Sequence, residues 1–175
     1  MKLSLNHTGI VTVTFLCFFL LMGCGYKMVG KETHLPPDVH SIAIPTFTNR
    51  TFEPGVEVPF TQAFLKEFIK DKRVKVLGRA EADALLEGVI KSFYIYSISY
   101  DRSGYALEYR INIVIDLTLK KQNGEIIWSE KNFMETLSYL ASSDVVISEA
   151  NKSDAIQKIG RLMAERIRNR FFYAF

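Results

Sequence analysis

A strict two-residue alternation between residues 105 and 119 constrains this chain more than any other feature. Tyr105, Leu107, Tyr109, Ile111, Ile113, Ile115, Leu117 and Leu119 are apolar, while Ala106, Glu108, Arg110, Asn112, Val114, Asp116 and Thr118 between them are mostly polar. Successive side chains of a strand point to opposite faces, so this run predicts one strand with a buried face and a wet face. At about 3.3 Å per residue it reaches roughly 45–50 Å, far beyond an ordinary strand. A strand this long needs neighbours of similar length. Upstream, residues 86–100 also alternate, with Tyr94, Tyr96, Ile98 and Tyr100 in phase, and Asp101-Arg102-Ser103-Gly104 supplies a hairpin turn. Downstream, Asn123-Gly124 is a strong hairpin signal. The partner strand, residues 125–139, has Ile126 and Trp128 in one phase and Phe133, Leu137 and Tyr139 in the other, which predicts a bulge around residues 130–132.

A sheet that is wet on one face needs cover on the other. Residues 57–72 read as a helix whose Phe60, Phe64 and Phe68 fall on one stripe, thickened by Leu65 and Ile69. Residues 141–151 read as a linker or a helix start, and the last helix is predicted from a cap at or near Ser153, with Ile156, Ile159, Met163 and Ile167 as its apolar stripe. A first strand is expected over residues 39–47, either at a sheet edge or ending at Pro45, then a loop over 48–55, and a short strand over 73–77. The fold class that follows is α+β: a two-layer sandwich whose mostly antiparallel sheet, of about four long strands, is covered on one face by two helices.

The N-terminus is a different kind of segment. Lys2 is followed by an apolar run over residues 10–22, and Gly23 lies directly before Cys24. Positive charge, apolar run and small residue form an export signal, and the run is shorter than the roughly 20 residues a membrane span needs. Leu21-Met22-Gly23-Cys24 resembles a bacterial lipobox, which implies cleavage before Cys24 and acylation of its sulfur. The expected organisation is a signal peptide over 1–23, a lipidated tether over 24–38 and a single domain over 39–175. Gly25 after the cysteine favours the outer membrane, facing the periplasm. Cys17 leaves with the signal and Cys24 carries lipid, so the mature domain has no thiol for a disulfide or a thiolate metal site.

Chemistry-bearing motifs are sparse. The chain has 22 Lys+Arg against 19 Asp+Glu, a near balance that argues against a nucleic-acid binder. His34 and His40 lack neighbours at metal-ligand spacing, and no HExxH, GxSxG or Walker-type loop occurs. Neither catalytic residues, nor a cofactor, nor a metal is expected. Asp83 and Glu87 are four apart, and local caps or solvated charges explain them better than a shared helical site.

Several short stretches, taken in order, resemble the LptE family of lipopolysaccharide-assembly lipoproteins. They are Cys24-Gly25-Tyr26, Ile42-Ala43-Ile44-Pro45 with Phe47 and Asn49, residues 82–90 (ADALLEGVI), Tyr109-Arg110, Ile127-Trp128 and the closing basic helix. The resemblance implies a non-enzymatic protein that sits in the lumen of an LptD-type outer-membrane β-barrel. There it would act as plug and assembly partner and bind lipopolysaccharide on its way to the outer leaflet. Barrel interiors are polar, and the wet face of the long strand, Arg110 included, suits one. Lipopolysaccharide phosphates would meet cations at loop tips, for which Arg102, Lys120 and Lys121 are the candidates. The rival reading is an auxiliary outer-membrane lipoprotein of another envelope pathway, either a lipid-transport ABC system or a cell-wall synthase activator.

Overall fold

The computed structural model describes residues 35–172. The signal peptide, Cys24 and most of the tether lie outside the described residues. The elements follow in the order β1 (Ser41–Ala43), β2 (Thr48–Asn49), α1 (Glu57–Ile69), β3 (Lys75–Val76), β4 (Ala84–Tyr100), β5 (Ala106–Lys121), β6 (Ile126–Leu140) and α2 (Val145–Phe172). Two helices lie on one face of a six-stranded sheet, so the α+β sandwich expected from the pattern is the fold.

The sheet is mixed. β4, β5 and β6 form the antiparallel meander, while β1 pairs parallel with both β3 and β4, and β2 pairs parallel with β4. The expected first strand, residues 39–47, forms only over β1, because Pro45 has no N–H to donate to a ladder. Thr48 and Asn49, expected in a loop, pair with Val89 and Ile90 instead. Asp83 stitches β1 to the start of β4. Its carboxylate accepts the His40 N–H (3.0 Å), the Ser41 N–H (2.9 Å) and the Ser41 hydroxyl (2.7 Å), and the Ser41 Oγ accepts the Asp83 N–H (3.0 Å).

The long alternation folds largely as its period requires. Ile111, Ile113, Ile115, Leu117 and Leu119 are all fully buried. At about 1.5–3 kcal/mol each, their burial contributes on the order of 10 kcal/mol. Tyr105 and Leu107 continue the same phase but are 74 % and 50 % exposed. The reason is length: β4 has 17 residues and β5 has 16, whereas α2, with 28, spans only about 42 Å and α1, with 13, about 20 Å. The meander outruns its cover. The expected bulge is present: Ile115 pairs with Phe133 and Leu117 with Glu130, leaving Lys131 and Asn132 opposite Asp116. Asn132 takes a positive φ there (53°) and donates its N–H to the Asp116 carboxylate at 2.7 Å.

Phe60, Phe64 and Phe68 of α1 are fully buried against the sheet, and Leu65 packs at their border, but Ile69 is 65 % exposed and does not belong to the stripe. α1 ends at Ile69 rather than at residue 72. α2 starts eight residues before the expected cap. Asp144, not Ser153, accepts the N–H groups of Val146 (2.8 Å) and Ile147 (3.4 Å), and Ser153 is inside the helix. Its buried stripe is the expected Ile156, Ile159, Met163 and Ile167, prolonged by Phe171 and Phe172, which pack on Phe68 and Trp128. Gly160 meets Pro59, Phe60 and Ala63, and Arg168 meets Glu67 at 2.7 Å, so the two helices run side by side in the same direction.

Candidate functional site

The meander gives the domain two unlike ends. At the near end the described chain enters through Leu35 and Asp38, and β4 begins beside β1. The Asn123-Gly124 turn and the helix C-termini lie here too. At the far end lie the β4–β5 turn and the start of α2. Asp101 builds that turn: its side chain accepts the N–H groups of Ser103 (2.8 Å) and Tyr105 (2.9 Å), and Gly104 supplies the positive φ (86°).

The four cations expected from the sequence are spread along the meander and do not come together. Arg102 is exposed in the far turn. Arg110 lies on the outward face of the sheet, nearer the far end, opposite Tyr96 and Ser138, and donates through Nε to the Ser138 hydroxyl at 3.3 Å. Lys120 and Lys121 are at the near end, roughly 50 Å along β5 from Arg102 by strand rise. Both are engaged there: Lys120 with Glu87 at 2.7 Å, and Lys121 with Asp38 at 2.8 Å and Glu125 at 3.6 Å. The Lys121–Asp38 hydrogen bond holds the ammonium above, and the carboxyl below, their ordinary values. No single small headgroup can touch both sets. Asp83 and Glu87 lie on strand and loop and not on a helix. Glu87 pairs with Lys120, and Asp83, held below the usual carboxylate range by the Ser41 hydroxyl and two main-chain N–H groups, is a structural clasp.

What the sequence reading missed is the apolar character of the far end. Val145, Val146 and Ile147 are 72 %, 78 % and 52 % exposed. At the same end of the meander the exposed Tyr100, Tyr105 and Leu140 lie at or next to the ends of their strands, and Tyr94 and Tyr96 are exposed further along β4. One signal was in the sequence: three consecutive apolar residues opening a helix cannot all lie on its buried side. The outward face between the ends is mixed: it carries Asn112 and Thr118, and the Lys91 ammonium pairs with Asp116 (3.5 Å) and donates to the Asn132 side-chain oxygen (2.6 Å). A shallow cleft of about 560 Å³ lies between the loop before α1 and the helices, lined by Val56, Pro59, Lys66, Ile156 and Arg161 among others. The ion pair Lys152–Glu53 (2.7 Å) joins two of its walls. Among the described residues no group of three or more His, Cys, Asp or Glu is placed to hold a metal ion, and no helix is long and apolar enough to cross a membrane.

Two helices packed on one face of a mixed sheet define a two-layer α+β sandwich. Solved structures share that architecture. The minor lipoprotein from Acinetobacter baumannii aligns with a TM-score of 0.54 at 10% identity, over 78% of this chain and 92% of that one. Lipoprotein B from Nitrosomonas europaea gives 0.52 at 16%, over 82% and 87%. The rare lipoprotein B from Shewanella oneidensis gives 0.51 at 14%, over 74% and 92%. At these identities the likeness is one of fold. No curated protein matches the sequence. Residues 39–171 match the LptE lipopolysaccharide-assembly family, and the chain belongs to that family.

Proposed function

We propose that this chain is an outer-membrane lipoprotein, anchored through acyl chains on Cys24. In this reading it plugs and helps assemble an LptD-type β-barrel and binds lipopolysaccharide during its insertion into the outer leaflet. The observation that carries the reading is the division of the domain into an entry end and an apolar far end. The chain enters at Asp38, at the opposite end of the meander from the exposed Tyr100, Tyr105, Val145, Val146 and Ile147. Apolar surface of this kind on a folded domain marks an interaction site. A domain tethered to the membrane at its near end would present its far end to a partner, and the half-polar outward face around Arg110 and Asn112 suits the polar lumen of a barrel.

Lipid attachment fits the same picture. Each buried methylene contributes about 0.8 kcal/mol, so several acyl chains together anchor the protein durably. Arg102, exposed in the far turn, is then the cation best placed to meet a lipopolysaccharide phosphate near the outer leaflet. No catalytic step belongs to this reading. The test is detergent extraction of the full chain followed by affinity recovery. A large β-barrel protein in the eluate supports the proposal. An inner-membrane transporter or a murein synthase, with no barrel, overturns it.

A further inference from the structure

Phe52 is the most exposed large apolar side chain among the described residues, at 106 %. Single apolar residues on a surface are ordinary, but this one stands in a loop that is fixed on both sides of it. Before the ring, the Asn49 side-chain oxygen accepts both the N–H and the hydroxyl of Thr51 at 2.8 Å. After the ring, Glu53 is caught three ways. Its carbonyl accepts the Asn49 side-chain N–H (2.7 Å), its N–H donates to the Thr51 hydroxyl (3.2 Å), and its carboxylate pairs with Lys152 of α2 (2.7 Å). The same Asn49 amide donates to Glu57 in the first turn of α1 at 3.0 Å. The backbone around Phe52 is thus tied to β2 and to both helices, while the ring is left in solvent.

Residues 53–56, directly after the ring, form one wall of the cleft of about 560 Å³. Val56, Pro59 and Ile156 are its apolar part, and its charges are unevenly matched. Both carboxylates on its rim, Glu53 and Glu149, lie against Lys152, at 2.7 and 3.9 Å. Lys66 and Arg161 also line it, and neither makes an ion pair among the described residues. Asp154, two turns before Arg161 on α2, is taken by Lys158 at 2.8 Å. The cleft therefore offers apolar surface and two cations that no carboxylate of this domain meets.

We propose that Phe52 and the adjoining cleft are a docking patch for one apolar, acidic segment of a partner protein. An apolar side chain of that segment lies against Val56, Pro59 and Ile156, its carboxylates meet Lys66 and Arg161, and Phe52 enters an apolar pocket of the partner. The patch is a contact with the barrel partner of the preceding section, and it rests on that reading for the partner's identity. A ring already held in place loses little freedom on docking, which favours a shaped protein pocket. A fluid lipid surface calls for no such fixed geometry. A second copy of this chain fits worse, because a twofold interface would bring the same unmatched cations onto both sides.

The experiment is photo-crosslinking in cells with the full chain, a benzophenone side chain replacing Phe52, Gln157 in the cleft, or Asn112 on the outward face of the sheet. The expected result is that positions 52 and 157 capture neighbouring stretches of the barrel protein, and that these contain Asp or Glu. Phe52→Ala should reduce barrel recovery about tenfold, whereas Phe52→Trp should keep it within about twofold. Because the exposed ring supports no packing, Phe52→Ala should melt within about 1 °C of the parent. Lys66→Glu/Arg161→Glu should also lower recovery, and its deficit against the parent should shrink as salt is raised. Barrel adducts from Asn112 with none from 52 or 157, or full recovery with Phe52→Ala, overturn the patch and leave the barrel reading standing. Captured stretches without acidic residues, or adducts of 52 and 157 to lipopolysaccharide or to a second copy, overturn it as well. No barrel adduct from any of the three positions removes both readings.

Discussion

Gly88 marks the tightest approach between the sheet and the strap that joins β1 to β2. A methyl group added there would sit 2.4, 2.5 and 2.6 Å from three ring carbons of Phe47, more than 1 Å inside ordinary contact. The ring has nowhere easy to go: Phe47 is 2 % exposed, its centroid lies 4.9 Å from that of Phe64, and its N–H is held by the Thr61 hydroxyl at 3.0 Å. Relief therefore requires moving the strap, which would disturb the pairing of Thr48 and Asn49 with β4. Overpacking of this kind costs about 1–3 kcal/mol, and the severity of the overlap places Gly88→Ala at the upper end, about 3 kcal/mol. For a domain of this size about 2–4 °C is lost per kcal/mol, so thermal unfolding should fall by roughly 6–12 °C. The cycle with Phe47→Leu makes the cause specific. Phe47→Leu alone should be destabilising, yet the double variant should be more stable than the sum of the singles predicts, with a coupling of about 1 kcal/mol or more. A melting temperature for Gly88→Ala within about 1 °C of the parent, or strict additivity in the cycle, would falsify the account of this contact.

Asp83→Asn should lower the melting temperature at neutral pH by removing the charge that accepts three hydrogen bonds from His40 and Ser41. Because folding lowers this carboxyl's pKa, its contribution is complete above the unfolded value of about 3.9 and fades as pH falls through the lower folded value. The gap between parent and variant should therefore close in acid, and a pH-independent gap would assign the effect elsewhere. Asp144→Ala should cost about 1 kcal/mol and speed amide exchange at Val146 and Ile147, with the helix beyond Ile156 unaffected. Unchanged exchange at those two amides would show that Asp144 is not the cap. In lipopolysaccharide binding by the full chain, Arg102→Glu should weaken affinity roughly three- to tenfold in a salt-sensitive way. The Lys120→Glu/Lys121→Glu pair, already engaged at the near end by Glu87 and Asp38, should leave binding unchanged. The reverse order would move the ligand to the near end.

Much of the fold was legible because its signals are local and periodic. The alternation along β5 set which residues are buried. Asn123-Gly124 set the turn into β6, the slip near residue 131 set the bulge, and three phenylalanines at helical spacing set the face of α1. The misses share a cause. Thr48 and Asn49 have no strand pattern of their own and become a strand only because Val89 and Ile90 offer an unfilled edge. Ser153 has the chemistry of a cap, but Asp144 captures the first N–H groups earlier, and tertiary packing carries the helix through Ser153.

For the candidate site, the sequence displayed the cations and the wet face, since charge and period can be read one residue at a time. It did not place Arg102 and Lys121 at opposite ends of one molecule, because that separation comes from strand direction and pairing. Nor did it show Tyr105 and Leu107 exposed: their phase matches that of Ile111, and only the finite length of the two helices decides where cover stops. By itself, then, the sequence determined which face of each element is apolar, a matter of side-chain period along a single strand or helix. Tertiary structure alone decided which of that apolar surface stays uncovered, because that depends on what the rest of the chain is long enough to reach.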